Sequence, residues 1–231
     1  MHIKLMTTLV LLLPSMLIAV AQSATAGQTE VYFVRHAETM GNLTHSHSKQ
    51  DDRTLSPEGI RQVEELTRSL EQLNIDYIVV SPKQRALKTI LPYLKKHRLT
   101  AEIWPELAEC CWQKEHRQSS AFDLKRGEKI ELTSGMAPWF SFAAGDSHYS
   151  YDTRNYSEGI LQTLMAADRL KKRFGQSDKT ILVVGHYHAG SRLLEILQGM
   201  EPVGRYKLSN TSISHLVEQP NGTFDLLNQH R

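Results

Sequence analysis

A chain of 231 residues, 40% hydrophobic and 23% charged, has material for one globular domain with a sizeable core. Its net charge of +2 argues against nucleic acid or an anionic membrane surface as partner, and no run of like charges or internal repeat alters that. Only two cysteines occur, adjacent at Cys110 and Cys111, which excludes a disulfide-stapled scaffold; both are expected to be small buried residues, since a bridge between neighbours needs strained geometry.

In chain order, Lys4 precedes the apolar run LVLLLPSMLIAV (Leu9–Val20), which is followed by AQSATAGQ. The run is too short for a hydrocarbon core of about 30 Å, and Pro14 interrupts it. A basic start, a short apolar middle and small residues at Ala24 and Ala26 make the pattern of a secretory signal peptide. Residues 1–26 are therefore expected to be removed, with Ala21 as a second cleavage position and an uncleaved anchor as the alternative. The mature protein, 27–231, is expected to be periplasmic or secreted, with no stable membrane anchor.

VYFVRHAETMGN (Val31–Asn42) begins as a strand buried on both faces and ends in an Arg-His pair. Thr44–Arg53 has no apolar period and reads as a loop. Ser56 is placed as an N-cap, Pro57 suits the first helical position, and Ile60, Val63, Leu66, Leu70 and Leu73 mark one helical face. Asp76–Ser81 is a second strand. Pro82 is read as opening a helix that runs to about His97, bent at Pro92, and Ala101–Trp104 as a third strand. About 110–155 is irregular, with scattered aromatic residues, and reads as an insertion or lid. Helical spacing returns in SEGILQTLMAADRLKKRF. Lys179–His186 is the clearest strand, AGSRLLEILQG a helix ending at Gly199, and the closing segment a hairpin turning at Asn221-Gly222. The alternation predicts an α/β domain with a mostly parallel sheet.

In open α/β sheets, ligands bind beyond the carboxyl ends of the strands. Those ends here deliver Arg35 and His36, then Arg85 on the following helix, then His186. One histidine at a strand end is ordinarily a surface or capping residue, but two together with two arginines describe an anion site. RHAET with Asn42, SPKQRALKT (Ser81–Thr89), ELAE (Glu106–Glu109) and VVGHYHAG (Val183–Gly190) together resemble the histidine phosphatase superfamily, in its phosphoglycerate mutase-like branch. LSPEGIRQ and NTSISHL fit the same likeness. The likeness runs from about Glu30 to Leu227, apart from the insertion.

The resemblance implies a three-layer α/β/α sandwich and a metal-independent phosphoric monoester hydrolase with no cofactor. His36 is then the nucleophile that forms phosphohistidine. Arg35, Arg85, Asn42 and, if protonated, His186 are donors to the phosphoryl oxygens. Glu109 is the proton donor to the leaving alcohol and must stay protonated for that duty, with Glu106 and Glu115 as nearby competitors. Ala37 replaces a more usual glycine, and CCWQKEH after Glu109 departs from the family pattern. Thr39 joins Asn42 as a substrate-binding candidate, although helix-turn structure accounts for Thr39 and Glu38 equally well. Glu158 either orders the pocket or favours its helix dipole. His45 and His47 beside Asp51 and Asp52 are read as solvated, and His188 as turned elsewhere; no metal site is expected. The expected partner is a small phosphorylated substrate. A mutase, a silent phosphate-binding module and a protein phosphatase are the rival readings, and the sequence leaves the substrate and the oligomeric state open.

Overall fold

The alternating side chains of β1 (Glu30–Arg35) face two separate apolar layers. Val31 and Phe33 pack with Ala166, Leu170 and Leu194, whereas Val34 packs with Leu66, Leu87 and Ile90. A strand covered on both sides has no face to leave polar, which is why its sequence runs apolar. The computed structural model describes residues 27–46, 48–111, 124–152 and 155–230. The expected signal peptide, His47, Trp112 and Glu115 lie outside the described residues.

Among the described residues the sheet has seven strands, in the order β4-β3-β2-β5-β1-β6-β7. β1 is joined in parallel by β2 (Tyr77–Val80), β3 (Ala101–Ile103), β4 (Phe140–Phe142) and β5 (Thr180–Gly185). β6 (Ile213–Glu218) and β7 (Phe224–His230) close one edge in antiparallel pairing. The larger helices are α3 (Pro57–Leu70) and α4 (Gln84–His97) on one face, α5 (Tyr156–Phe174) and α6 (His188–Leu197) on the other. This is the expected three-layer sandwich.

Several local expectations change. The stretch read as a loop after Leu43 contains a short helix, α2 (Lys49–Arg53), capped by Ser48 and preceded by α1 (Met40–Thr44). Five residues are too few to show an apolar period, so only the cap signalled it. α4 begins at Gln84 and not at Pro82, because Lys83 is extended (ψ 134°). Ile60 is 54% exposed, while Val63, Leu66 and Leu70 carry the buried stripe of α3. The segment expected to be irregular contributes β4, a three-residue edge strand on β3.

Register places the site. Arg35 lies opposite Gly185, and the His36 amide donates to the Gly185 carbonyl at 3.0 Å. His36 and His186 therefore leave the sheet side by side. β2 flanks β5 on the other side, with the Ser81 amide on the Val184 carbonyl at 2.9 Å.

Candidate active site

His36 is buried, and its Nδ1 lies 2.7 Å from the carbonyl oxygen of Ala37. A carbonyl only accepts, so Nδ1 carries the hydrogen and Nε2 presents its lone pair. That lone pair accepts from Arg85 Nε at 3.1 Å. The same Arg85 N–H lies 3.3 Å from Nδ1 of His186, which fixes the His186 hydrogen on Nε2, 2.6 Å from Ser81 Oγ. One guanidinium thus spans both imidazoles, whose centroids are 5.2 Å apart.

Burial first, then the charges of Arg85 and Arg35, holds His36 well below the usual histidine range. Burial and Arg85 do the same to His186. Both rings are neutral near pH 7, as a nucleophilic imidazole requires. The proviso attached to His186 is not met in the free protein: its Nδ1 accepts from Arg85 and becomes a donor only by gaining a proton.

Neighbouring groups hold these side chains in place. Arg85 Nη1 is 3.8 Å from the nearly buried carboxylate of Asp52. Thr89 Oγ1 donates to the Arg85 carbonyl at 2.7 Å and accepts from the Ala37 amide at 2.9 Å, tying α4 to the loop that carries His36. Asn210 Nδ2 donates to the His36 carbonyl at 2.8 Å and reaches Asn42 Oδ1 at 3.4 Å. Thr39 caps α1: its hydroxyl accepts from the Asn42 amide at 3.1 Å, and Asn42 Oδ1 accepts from the Thr39 amide at 3.2 Å. Thr39 thereby orients Asn42. Arg35 donates through Nη1 to the Leu208 carbonyl at 2.7 Å and lies over the Tyr187 ring, while its buried Nε has no acceptor among the described residues.

Glu109 follows the 3₁₀ turn Pro105–Leu107 and is almost fully buried. Its Oε1 accepts from the Ala189 amide at 2.9 Å and the Cys110 amide at 3.2 Å, and Oε2 lies 3.5 Å from the His188 amide. The first turn of α6 therefore orients this carboxyl group, in the positive end of the helix dipole. Glu106 is committed elsewhere, to Arg169, and does not enter the site. His188 supplies its backbone here, and its ring packs on Tyr187. Glu158 accepts from the Asp152 amide at 3.0 Å and pairs with Arg126 at the start of α5.

Cys110 and Cys111 form a vicinal disulfide, contrary to the plain-residue expectation, and both are buried. The pair sits against Gly159 of α5, where an added Cβ would lie 2.6 Å from Cys111 Sγ. Among the described residues no group of three or more His, Cys, Asp or Glu is placed to hold a metal ion. Asp51 accepts from Ser48 Oγ at 2.7 Å, and Asp52 turns to Arg85.

Arg35, His36, Arg85, Glu109 and His186 thus meet at one sheet edge, with Asn42 held beside them. Sequence reasoning missed Ser81, Asp52, Thr89 and Asn210 as partners. Ser81, Thr89 and Asn210 lay inside quoted motifs, but their targets are visible only once the sheet order is known.

Residues 31–229 match the histidine phosphatase superfamily (branch 1). The chain belongs to that family. This histidine phosphatase is accordingly a metal-independent phosphoric monoester hydrolase of the phosphohistidine type. It is 26% identical, over 175 residues, to the adenosylcobalamin/alpha-ribazole phosphatase of Escherichia coli (strain K12), covering 74% of this chain and 79% of that protein. Among solved structures, a putative alpha-ribazole-5'-P phosphatase from Escherichia coli K-12 shares its fold with a TM-score of 0.62 at 22% identity, over 88% of this chain and 96% of the other. A phosphoserine phosphatase from Entamoeba histolytica, in complex with phosphoserine, shares it with a TM-score of 0.60 at 21% identity, over 87% and 96%.

Proposed function

We propose that this histidine phosphatase is an exported phosphomonoesterase acting on small substrates, with His36 as the nucleophile. The observation that carries the reading is the bond from His36 Nδ1 to the Ala37 carbonyl, which leaves Nε2 unprotonated beside Arg85. Nε2 attacks phosphorus as the ester P–O bond breaks, and the leaving alkoxide takes a proton from Glu109, which gains it from a substrate that binds as the monoanion. Glu109 then takes a proton from water, whose oxygen attacks phosphohistidine and releases inorganic phosphate with His36 restored. Arg85 turns its N–H groups from the two imidazoles to the phosphoryl oxygens, Arg35 Nε finds there the acceptor it lacks, and Asn42 adds an amide donor. A phosphoryl dianion offsets the two arginine charges and lets His186 take up a proton as it arrives.

Export is supported by the basic-apolar-small pattern of residues 1–26 and by a disulfide, which persists in oxidising compartments. The purified mature chain is expected to hydrolyse p-nitrophenyl phosphate in the presence of EDTA and to trap an acid-labile phosphoryl label. His36→Ala is expected to lose at least ~10³-fold in kcat together with the label. Phosphate binding without turnover by the wild type, or full activity in His36→Ala, overturns the reading. N-terminal sequencing of protein from the extracytoplasmic fraction is expected to start at Gly27, and recovery with Met1 retained in the cytoplasm rejects export.

A further inference from the structure

We infer that Gln162 and Tyr149 are positioning residues for Glu109, through which the segment between β3 and α5 governs protonation of the leaving alcohol. The inference rests on the phosphatase reading, and within it on Glu109 as the proton donor. Gln162 lies on the face of α5 that also buries Ala166 and Leu170, and it is 0% exposed. A buried amide in an apolar wall costs free energy unless both of its ends are bonded. Gln162 has both bonds. Its Nε2 donates to the Ala108 carbonyl at 2.8 Å, and its Oε1 accepts from the Tyr149 hydroxyl at 2.7 Å. The Ala108 carbonyl only accepts, so the amide must turn its NH₂ there, and the oxygen left over takes the hydrogen of the phenol. Tyr149 and Ala108 are buried too, and bulk water does not compete for these groups.

Ala108 precedes Glu109, and its carbonyl belongs to the planar peptide group that joins the two. The Ala108 amide is tied as well, donating to the Pro105 carbonyl at 3.1 Å. Gln162 therefore sets the plane of that peptide, and with it the direction in which the Glu109 side chain leaves the backbone. Beyond Glu109, the disulfide of Cys110 and Cys111 lies on Gly159, three residues before Gln162 and on the same face of α5. One helix thus holds the chain on both sides of Glu109, while the first turn of α6 receives the carboxyl group itself. Tyr149 joins this grip to the segment between β3 and α5. Its amide donates to the Glu128 carbonyl at 2.8 Å and its carbonyl accepts from the Gly127 amide at 2.7 Å, so a paired stretch presents the phenol. Neither bond of Gln162 goes to His36, Arg35, Arg85 or His186, and losing them moves Glu109 without unmaking the phosphate pocket.

The test reads the leaving group. The mature protein is assayed on glycerol 3-phosphate, whose alkoxide needs a proton, and on p-nitrophenyl phosphate, whose phenolate does not. The quantity compared is kcat/KM, which covers the steps up to loss of the alcohol and leaves out the attack of water. Gln162→Met keeps an unbranched side chain and removes both bonds. It is expected to lower kcat/KM about tenfold or more on glycerol 3-phosphate and by no more than about twofold on p-nitrophenyl phosphate. The inhibition constant of inorganic phosphate is expected to stay at the wild-type value. Tyr149→Phe removes only the hydroxyl and is expected to show the same contrast at about threefold, which carries the test if Gln162→Met does not fold. In a Glu109→Gln background, Gln162→Met is expected to cost less than about twofold more on glycerol 3-phosphate, since the group it positions is gone. Equal falls on the two substrates, wild-type rates in both variants, or a full tenfold loss added to that of Glu109→Gln overturns the proposal while the phosphatase reading stands. Equal losses on both substrates in Glu109→Gln overturn it as well, by removing the acid. A wild type that turns over neither substrate removes the phosphatase reading and the proposal with it.

Discussion

At the scale of single residues, this site depends on where hydrogens sit. His36 is committed to one tautomer by a backbone carbonyl and His186 to the other by a serine. Ser81→Ala leaves the His186 N–H buried without its acceptor. The expected cost is about 1–3 kcal/mol, read as a lower urea midpoint at unchanged slope. Glu109 makes a separable prediction. Glu109→Gln is expected to lower kcat by about 10²–10³-fold on an alkyl phosphate, whose leaving oxygen needs a proton. The loss should be far smaller on p-nitrophenyl phosphate, whose phenolate leaves unaided. Equal losses on both substrates exclude Glu109 as the acid. Residue types at this scale were legible in the sequence, since arginine forks and imidazoles at strand ends suit few duties other than binding an oxyanion. Partners were less so: Asp52 read as one of several loop acids, and only the packing of α2 on α4 brings it to Arg85.

At the scale of elements, the loop between β1 and α1 is held from outside by α3. The Ser56 amide donates to the Glu38 carbonyl at 3.0 Å, Ser56 Oγ to Glu38 Oε1 at 2.6 Å, and the Glu38 amide to Gln62 Oε1 at 2.8 Å. Glu38, which had no definite role in the sequence reading, clamps a helix onto the loop that carries His36. Gly59 permits the contact: a Cβ there would lie 2.0 Å from the Glu38 carbonyl oxygen, a backbone atom with no rotamer to escape by. Gly59→Ala is expected to destabilise the fold by about 1–3 kcal/mol and to lower kcat by displacing His36. Wild-type stability and rate in this variant would show that the clamp does not govern the position of His36. The long helices and doubly covered strands were legible because capping and periodicity are written locally in the chain. α2 and β4 were not, because elements of five and three residues are stabilised by neighbours more than by their own pattern.

For the whole molecule, the two neutral buried imidazoles link stability to pH. His36 and His186 lie well below 6.5 when folded and regain about 6.5 on unfolding. Below that pH the unfolded chain binds protons that the folded protein refuses. Stability is therefore fully expressed above about pH 6.5 and declines as pH falls towards the folded values. Two such groups give a slope of at most about 2.7 kcal/mol per pH unit, and His188, also lowered by burial, acts in the same direction. Urea unfolding at pH 7.5 and 5.5 is expected to show the loss, and His36→Ala to flatten it. A wild-type midpoint that does not move over that interval contradicts neutral burial of these rings.

The sequence by itself determined the alternation of strands and helices, the chemistry delivered at the strand ends, and the family those blocks resemble, because each of these depends on neighbours a few residues apart. Tertiary structure alone decided that β5 lies between β1 and β2, and with it that Ser81 meets His186 across 105 residues and Asn210 meets His36 across 174. It also decided that α2 packs on α4 and brings Asp52 to Arg85, and that Cys110 and Cys111 bond against Gly159 of α5. Such contacts join residues whose separation along the chain carries no periodic signal; they follow from which strands pair, and that is settled only by the packing of the whole core.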